Sequence, residues 1–446
     1  MPGRTQRKRG AEERGIGVVL VCLLILLLVT LPTACAPPST PVPTSPLPAP
    51  SFTAPPPTAT STVAAPGPLV VTLTLWLPED LNPYGEGPEA ALLAQQLADF
   101  GQAYSDLQVE VIVKKVQGRG GLLDFLRTAS VAAPSVLPDL VVLNATDLRL
   151  AAQAGLLQPL DGLLPADLAA DRFPFAIGLG EVDGQTMGVP IAAELEHLAY
   201  RPALLARAPV TWTDVLSAEV PFVFPAAGQE DGVNDATLAQ YLGAGGRLTD
   251  VEGKPQLEAE PLAAVLDFYA QATVAGVISP TVVLSLADAD GCWERFRDWQ
   301  AGMAVVDSRR FWTEPDVHAA PGTIPTRDGR PVALARGWML ALVTEDSEQQ
   351  ERAMRLVAWL LDPERHGAWT QSAGYLPATL GGLAAWTVTE DEQAVLGAIL
   401  GGAQPVPPST VRAAVGPPLQ AALEAVLEGR RSPADAAADA VRATGP

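Results

Sequence analysis

The stretch "LVVTLTLWLPEDLNPYGEGPEAALLAQQLADFGQAYSDLQVEVIVKKV", residues 69–116, decides the fold class. Leu69 to Leu77 are apolar or β-branched without a break, which reads as a buried strand. Asn82-Pro83 and Gly85-Glu86-Gly87 then end that strand as turn formers. From Pro88 the spacing turns helical, with Leu92, Leu93, Leu97 and Phe100 on one face. "LQVEVIVKKV" (107–116) alternates apolar with polar and reads as a second strand. A strand, a crossover helix and a further strand imply parallel pairing in an α/β domain.

The same grammar continues outward. "GLLDFLRTASVAA" (121–133) reads as a helix, "PDLVVLNA" (138–145) as a third strand, and "DLRLAAQAGL" (147–156) as a helix stopped by Gly155. "PFVFP" (221–225), the helix "PLAAVLDFYAQATVAGV" (261–277) and the strand "GMAVVD" (302–307) keep to it. So do the strand "GWMLALVT" (337–344), the helix "SEQQERAMRLVAWLLD" (347–362) and a run of helices to the end. Ser432-Pro433 is an N-cap and first-turn pair for the last of them. The sequence shows no repeat at a solenoid or propeller period.

Upstream, the chain changes character twice. Arg4, Arg7, Lys8, Arg9 and Arg14 precede an apolar run of fourteen residues, Val18 to Leu31. That is the layout of a secretory signal, and the run is short against the ~20 residues of a spanning helix. An uncleaved signal anchor is the other reading; Pro32 and Ala34 beside Cys35 favour cleavage. Residues 36–68 hold twelve prolines and no charge, a composition that cannot bury enough surface to fold. Proline keeps such a segment extended, and at about 3.1 Å per residue it reaches roughly 100 Å. Formal charge is −21 for the chain; the leader (1–34) contributes +3, so the remainder carries −24. An acidic exterior argues against nucleic acid or anionic lipid as partner. Of three cysteines, only Cys292 lies beyond Cys35, so the mature part has no internal disulfide to rest on.

Two resemblances sharpen this. Leu31-Pro32-Thr33-Ala34-Cys35 resembles the lipobox of bacterial lipoproteins, whose cysteine becomes the lipidated first residue. It implies a signal peptide over 1–34, lipidation at Cys35, and 35–68 as a tether on the outer face of the cell membrane. Residues 69–446 resemble, in order, the extracellular solute-binding proteins of ABC importers, specifically the maltose/oligosaccharide-binding-like cluster. The resemblance is carried by "LTLWLPEDLNPYGEGPEAALLAQQLADFGQAYSDLQVEVI" (73–112) and by "LLDFLRTASVAAPSVLPDLVVLNATDLRLAAQAGLLQPLDGLL" (122–164). "MGVPIAAELEHLAYRP" (187–202), "TWTDVL" (211–216) and "FRDWQAGMAVVDSRRFW" (296–312) follow. "GWMLALV" (337–343) and "AWLLDPERHGAWTQSAGYLPA" (358–378) complete it. It implies a two-lobed type II periplasmic-binding-protein-like α/β fold with solute held in the cleft between the lobes. Lobe I is expected over 69–190 plus 338–380, and lobe II over 191–337 plus 381–446. Function is expected to be that of a monomeric receptor handing a small polar solute, a saccharide first, to the transmembrane subunits of an ABC permease. The same fold taking a polyol or polyamine, or acting as a sensor, is the alternative. An extracellular glycoside hydrolase is a further one.

Candidate ligand residues follow from chemistry and resemblance together. Sugar hydroxyls need charged or amide partners, while their C–H faces pack on aromatic rings. Glu194 matches a sugar-binding carboxylate of the oligosaccharide-binding relatives; Glu196, two along an extended segment, points the same way and is expected to pair with a neighbour or water. Asp147 matches a sugar-binding aspartate after the third strand, with Asn144 near it, and serves equally as a helix N-cap. Glu79, Asp80 and Asn82 lie on the loop after the first strand. Phe224, Trp312, Trp338 and Tyr375 are the aromatic candidates, Trp312 first because relatives carry a stacking tryptophan there. Trp76 is expected in the core and Cys292 as a packing residue, while Arg309 and Arg310 are expected to pair with acidic neighbours.

Other chemistries fail on spacing. "QGRGG" (117–121) lacks the third glycine of a dinucleotide fingerprint, and "GAGGR" (243–247) lacks the Lys-Ser/Thr of a P-loop. His197, His318 and His366 make no zinc spacing, and no G-x-S-x-G elbow occurs. No cofactor is expected.

Overall fold

Successive residues of a strand point to opposite faces, so a strand apolar at every position needs cover on both sides. That requirement organises the computed structural model of this chain, which describes residues 70–228 and 232–445. Cys35, the leader and the proline-rich segment of the sequence reading lie outside the described residues.

The strands are β1 (Val71–Pro78), β2 (Leu107–Lys114), β3 (Leu140–Asn144), β4 (Glu181–Val182), β5 (Gln185–Thr186) and β6 (Val189–Tyr200). They continue as β7 (Phe222–Val223), β8 (Met303–Asp307), β9 (Ala320–Gly322), β10 (Ala333–Leu342) and β11 (Ala403–Pro405). Nine of them form one sheet in the order β2-β1-β3-β10-β6-β8-β7, with β11 on β10 and β9 on β6; β4 and β5 form a separate hairpin. β1 runs parallel to β2 and to β3, with the helix Pro88–Ala103 as the first crossover, as the opening stretch predicts. β10 is antiparallel to both β3 and β6.

β6 is the strand that joins two half-sheets. Its first part, Val189 to Leu195, pairs with β10, and its second, Glu196 to Tyr200, pairs with β8. Each half is covered on both faces by its own pair of clusters. Leu73, Leu75, Val142 and Leu340 pack on one face of the first half, Trp76, Val141, Leu143 and Met339 on the other. In the second half Leu198, Met303 and Val305 share one face, and Ala199, Ala304 and Val306 share the other with Trp293 and Phe296. Each buried leucine or valine stabilises by about 1.5–3 kcal/mol, so the sheet is where the chain commits to its register.

Helix ends agree with the sequence. Ser432 caps the last helix, Pro433–Thr444, by accepting from the Asp435 amide, with proline in the first turn. One expectation is corrected. Residues 381–403 were assigned to lobe II, yet Leu383, Trp386, Leu396 and Leu400 pack with Trp76 and Leu126 of the first half. The cause is β11, which runs beside β10 and draws the preceding helices with it. Residues 411–440 do pack with Leu198 and Met303 in the second half. No helix among the described residues is long and apolar enough to cross a membrane.

Two glycines mark where chain passes close to chain at the junction. A side chain at Gly337 in β10 would meet the Ala192 carbonyl of β6 at 2.5 Å. Gly374 has φ +72°, and a side chain there would meet the Arg309 carbonyl at 2.9 Å. Only glycine takes that conformation and that contact without strain.

Candidate functional site

At the junction of the half-sheets the strands stop being purely apolar. Glu194 and Glu196 interrupt β6, and the register sets Arg336 of β10 opposite Glu194 and Asp307 of β8 opposite Glu196. These carboxylates open on a cleft of about 480 Å³ whose lining also includes Asp288, Asp290, Arg309 and Arg310.

Local structure holds each of them. β8 ends at Asp307, whose carboxylate caps the short helix Ser308–Thr313 by accepting from the Arg310 amide at 3.0 Å. The Leu195 amide donates to Ser308 Oγ at 3.1 Å, which fastens that helix to β6. Asp288 caps the helix Ala289–Arg297, accepting from the Gly291 amide at 2.9 Å. Arg310 is shared among Asp290, Glu294 and Glu314 at 3.3–3.4 Å. Arg309 lies over the Tyr375 ring, 4.5 Å from its centre. Tyr375 packs with Trp338 in the same buried cluster. Tyr375 is placed by the pairing of its neighbour Leu376 with Ala193 of β6, through amide-to-carbonyl bonds of 2.9 and 2.7 Å.

Behind the cleft stands a buried charge cluster. Asp235 Oδ1 accepts from Arg412 at 2.5 Å, and Asp235 also pairs with Arg336. Arg412 reaches the Val233 carbonyl at 3.2 Å as well. Burial and the nearby Asp235 push the Glu196 carboxyl up to about 8, against the pull of Arg336. Burial, then Asp307, raises Glu194, and burial raises Asp307. One oxygen of Glu196, Oε2, is buried without a hydrogen-bond partner.

The residues singled out from sequence are divided by the fold. Glu194, Trp338 and Tyr375 are brought together, with Asp80 close enough to act electrostatically on both Glu194 and Tyr375. Trp338 is 8% exposed and Tyr375 1%, so both rings are buried behind the cleft and neither presents an open face. Asn144 sits opposite Trp338 across β3 and β10. It is Asn144, not Asp147, that caps the helix Ala145–Gln153; Asp147 supplies the amide it accepts and takes a 3.0 Å bond from its side chain. Glu79 and Asp80 are exposed on the turn after β1, and Asn82 spends its side-chain oxygen on the Tyr84 amide at 2.9 Å. Phe224 is corrected to the core: just beyond β7, it is 1% exposed and stacked on Tyr269 at 4.6 Å within the second half's interior. Trp312 is half-buried and wedged edge-on against Trp386 and Phe311, off the lining of the cleft. Trp76 and Cys292 are buried, as expected.

Asp307, Asp288, Arg336, Asp235 and Arg412 were not singled out as candidates. Asp307 had a legible signal, an acid at the carboxyl end of a buried strand. Asp235, Arg336 and Arg412 had none, since they meet only through the tertiary fold.

This arrangement, a cleft at the seam of two half-sheets crossed by shared strands, is the fold of two-lobed solute receptors. A profile of the bacterial extracellular solute-binding proteins matches residues 95–395. The chain belongs to that family. No curated protein matches it. Among solved structures it is similar to the cyclic α-maltosyl-1,6-maltose binding protein of Arthrobacter globiformis, at 20% identity and TM-score 0.67, over 84% of this chain and 98% of that one. It is similar also to the sugar-binding protein MalE of Xanthomonas citri, at 19% identity and TM-score 0.65, over 83% and 96%. A solute-binding protein of an Agrobacterium radiobacter ABC transporter, in complex with ribitol, matches at 23% identity and TM-score 0.52, over 84% and 98%.

Proposed function

We propose that this protein is a saccharide receptor that serves the transmembrane subunits of an ABC importer from the outer face of the membrane. The observation that carries the reading is Glu194 at the β6/β10 seam, lining the cleft beside the aromatic cluster of Trp338 and Tyr375. A carboxylate accepts from sugar hydroxyls, the buried rings wall the site behind it, and sites at such seams favour ligand. Proteins of similar fold bind a cyclic maltosyl-maltose and ribitol, which supports a polyhydroxylated solute. Glu79, Asp80, Asn144 and Asp147 at the carboxyl ends of β1 and β3 are the residues of the first lobe proposed to face it. In this reading residues 69–190 and 338–380, with 381–403 added on packing grounds, form lobe I; the remainder of the described chain forms lobe II. Cys35 is the lipid anchor and 35–68 the tether. The role is binding rather than turnover.

A thermal-shift screen over maltose, longer maltodextrins, cyclic glucans and pentitols tests it. A true ligand at 100 times its dissociation constant is expected to stabilise by about 2.7 kcal/mol. A panel in which no sugar or polyol raises the melting temperature contradicts the reading.

A further inference from the structure

The charges of the cleft do not balance. Five carboxylates line it, against two arginines. Those arginines and the ones behind them are engaged: Arg310 by three acids, Arg309 on the Tyr375 ring, Arg336 and Arg412 by Asp235. Asp288 and Asp307 cap helices, and Asp290 pairs with Arg310. Glu194 and Glu196, which also line the cleft, neither cap a helix nor form an ion pair within 4 Å among the described residues. A second observation is independent of this count. Glu196 Oε2 is fully buried and accepts no hydrogen bond, an arrangement that leaves a polar atom waiting for a donor from outside the chain.

We infer that the solute carries a cationic nitrogen on a hydroxylated skeleton, an amino sugar or amino polyol, and that Glu194 and Glu196 receive the ammonium. The inference rests on the saccharide-receptor reading and narrows it. A metal ion is not the cation that fits, since no group of described His, Cys, Asp and Glu residues is arranged to hold one. An ammonium offers several N–H donors, one of them to an oxygen that has none, and charge-assisted bonds of this kind are the strong ones.

A proton must move. Glu196 is faced by Asp307 of β8, Asp235 of the helix Asp235–Gly243, Arg336 of β10, Arg412 of the helix Ser409–Leu427 and Cys292 of the helix Ala289–Arg297, with Glu194 on its own strand. That surrounding keeps its carboxyl protonated near neutrality. When the ammonium arrives, keeping its own protons, Glu196 releases one to solvent and becomes the counter-ion. Affinity therefore rises with pH until Glu196 is ionised in the free protein as well.

Calorimetric titration tests this with probe pairs that differ by one charge: glucamine against sorbitol, and the glucosamine disaccharide against its N-acetylated form. Each is titrated in two buffers of different ionisation enthalpy, at pH 6.5 and 8.5, with putrescine as a further probe. The amine of a pair is expected to bind at least tenfold tighter than its neutral partner, with proton release at pH 6.5 that is smaller at 8.5. Glu196→Gln, which keeps the side chain's shape, is expected to abolish the proton release and weaken the amine at least tenfold. Its melting curve reports whether the fold is kept, and Glu194→Gln, expected to weaken the amine likewise, is the second variant. Neutral probes binding as tightly as the amines would overturn this inference and leave the saccharide receptor standing. Putrescine outcompeting every hydroxylated probe, or no probe binding at all, would overturn both.

Discussion

Asp235→Ala is expected to destabilise the folded protein by about 3–5 kcal/mol, the effect of removing one partner from a buried charge pair. Asp235 and Arg412 are only 4% and 6% exposed in their side chains, and Arg336 of β10 shares the same carboxylate. Without Asp235, Arg336 of β10 and Arg412 of the helix Ser409–Leu427 lose the carboxylate that holds them together behind the cleft. Urea unfolding measures it. The Asp235→Ala/Arg412→Met double variant should recover a good part of the loss, because it removes the buried charge along with its partner. A single variant within 1 kcal/mol of the parent would show that the cluster is solvated and does not hold the helix Ser409–Leu427 to β10.

Glu196→Gln should change stability in a pH-dependent way, by on the order of 5 kcal/mol at pH 9. The sign follows from the two states. Unfolded, the carboxyl titrates near 4.5; folded, near 8. Between those values the native protein holds a proton that the unfolded chain has released, so stability is present below 4.5 and is lost as pH rises through 8. Glutamine mimics the protonated form at every pH, so the variant gains on the parent as pH rises and matches it near pH 4. His197 and His366 act in the opposite window. Burial lowers both to about 4 from 6.5, so they remove stability as pH falls from 6.5 to 4, equally in parent and variant. Unfolding free energies at pH 5, 7 and 9 decide the matter; a parent-to-variant gap that is constant across them would mean that Glu196 is ionised throughout.

Much of the fold was legible because the strands advertise themselves. A run such as "LVVTLTLWL" has one stable home, a strand covered on both faces, and "GMAVVD" and "GWMLALVT" repeat the signal. The crossover helix after β1 followed from spacing alone. What spacing does not carry is which half-sheet a late helix joins, and so residues 381–403 were assigned to the wrong side of the seam. Their helices are apolar enough for either half; the pairing of β11 with β10 decides it.

The site divided along the same line. Glu194 stood out because its position matches a sugar-binding carboxylate of the oligosaccharide-binding relatives. Trp338 and Tyr375 were named as aromatics in the right segments, yet their packing in one cluster is invisible in sequence. Phe224 failed for the opposite reason: an aromatic in "PFVFP" looks the same whether it faces solute or core. The ion cluster of Asp235, Arg336 and Arg412 spans 177 residues of sequence between its outermost members, so local reading had no access to it.

The central claim is that solute is held at the seam and touched from both half-sheets, with β6 and β10 as the crossing strands. Small-angle scattering of the protein with and without the tightest ligand of the screen tests this most directly. A solute bound by both lobes favours the closed arrangement, so the radius of gyration should fall on saturation and return when the ligand is dialysed away. A ligand that stabilises the protein and binds with one-to-one stoichiometry, yet leaves the scattering curve unchanged, would place the site on a single lobe and contradict the account.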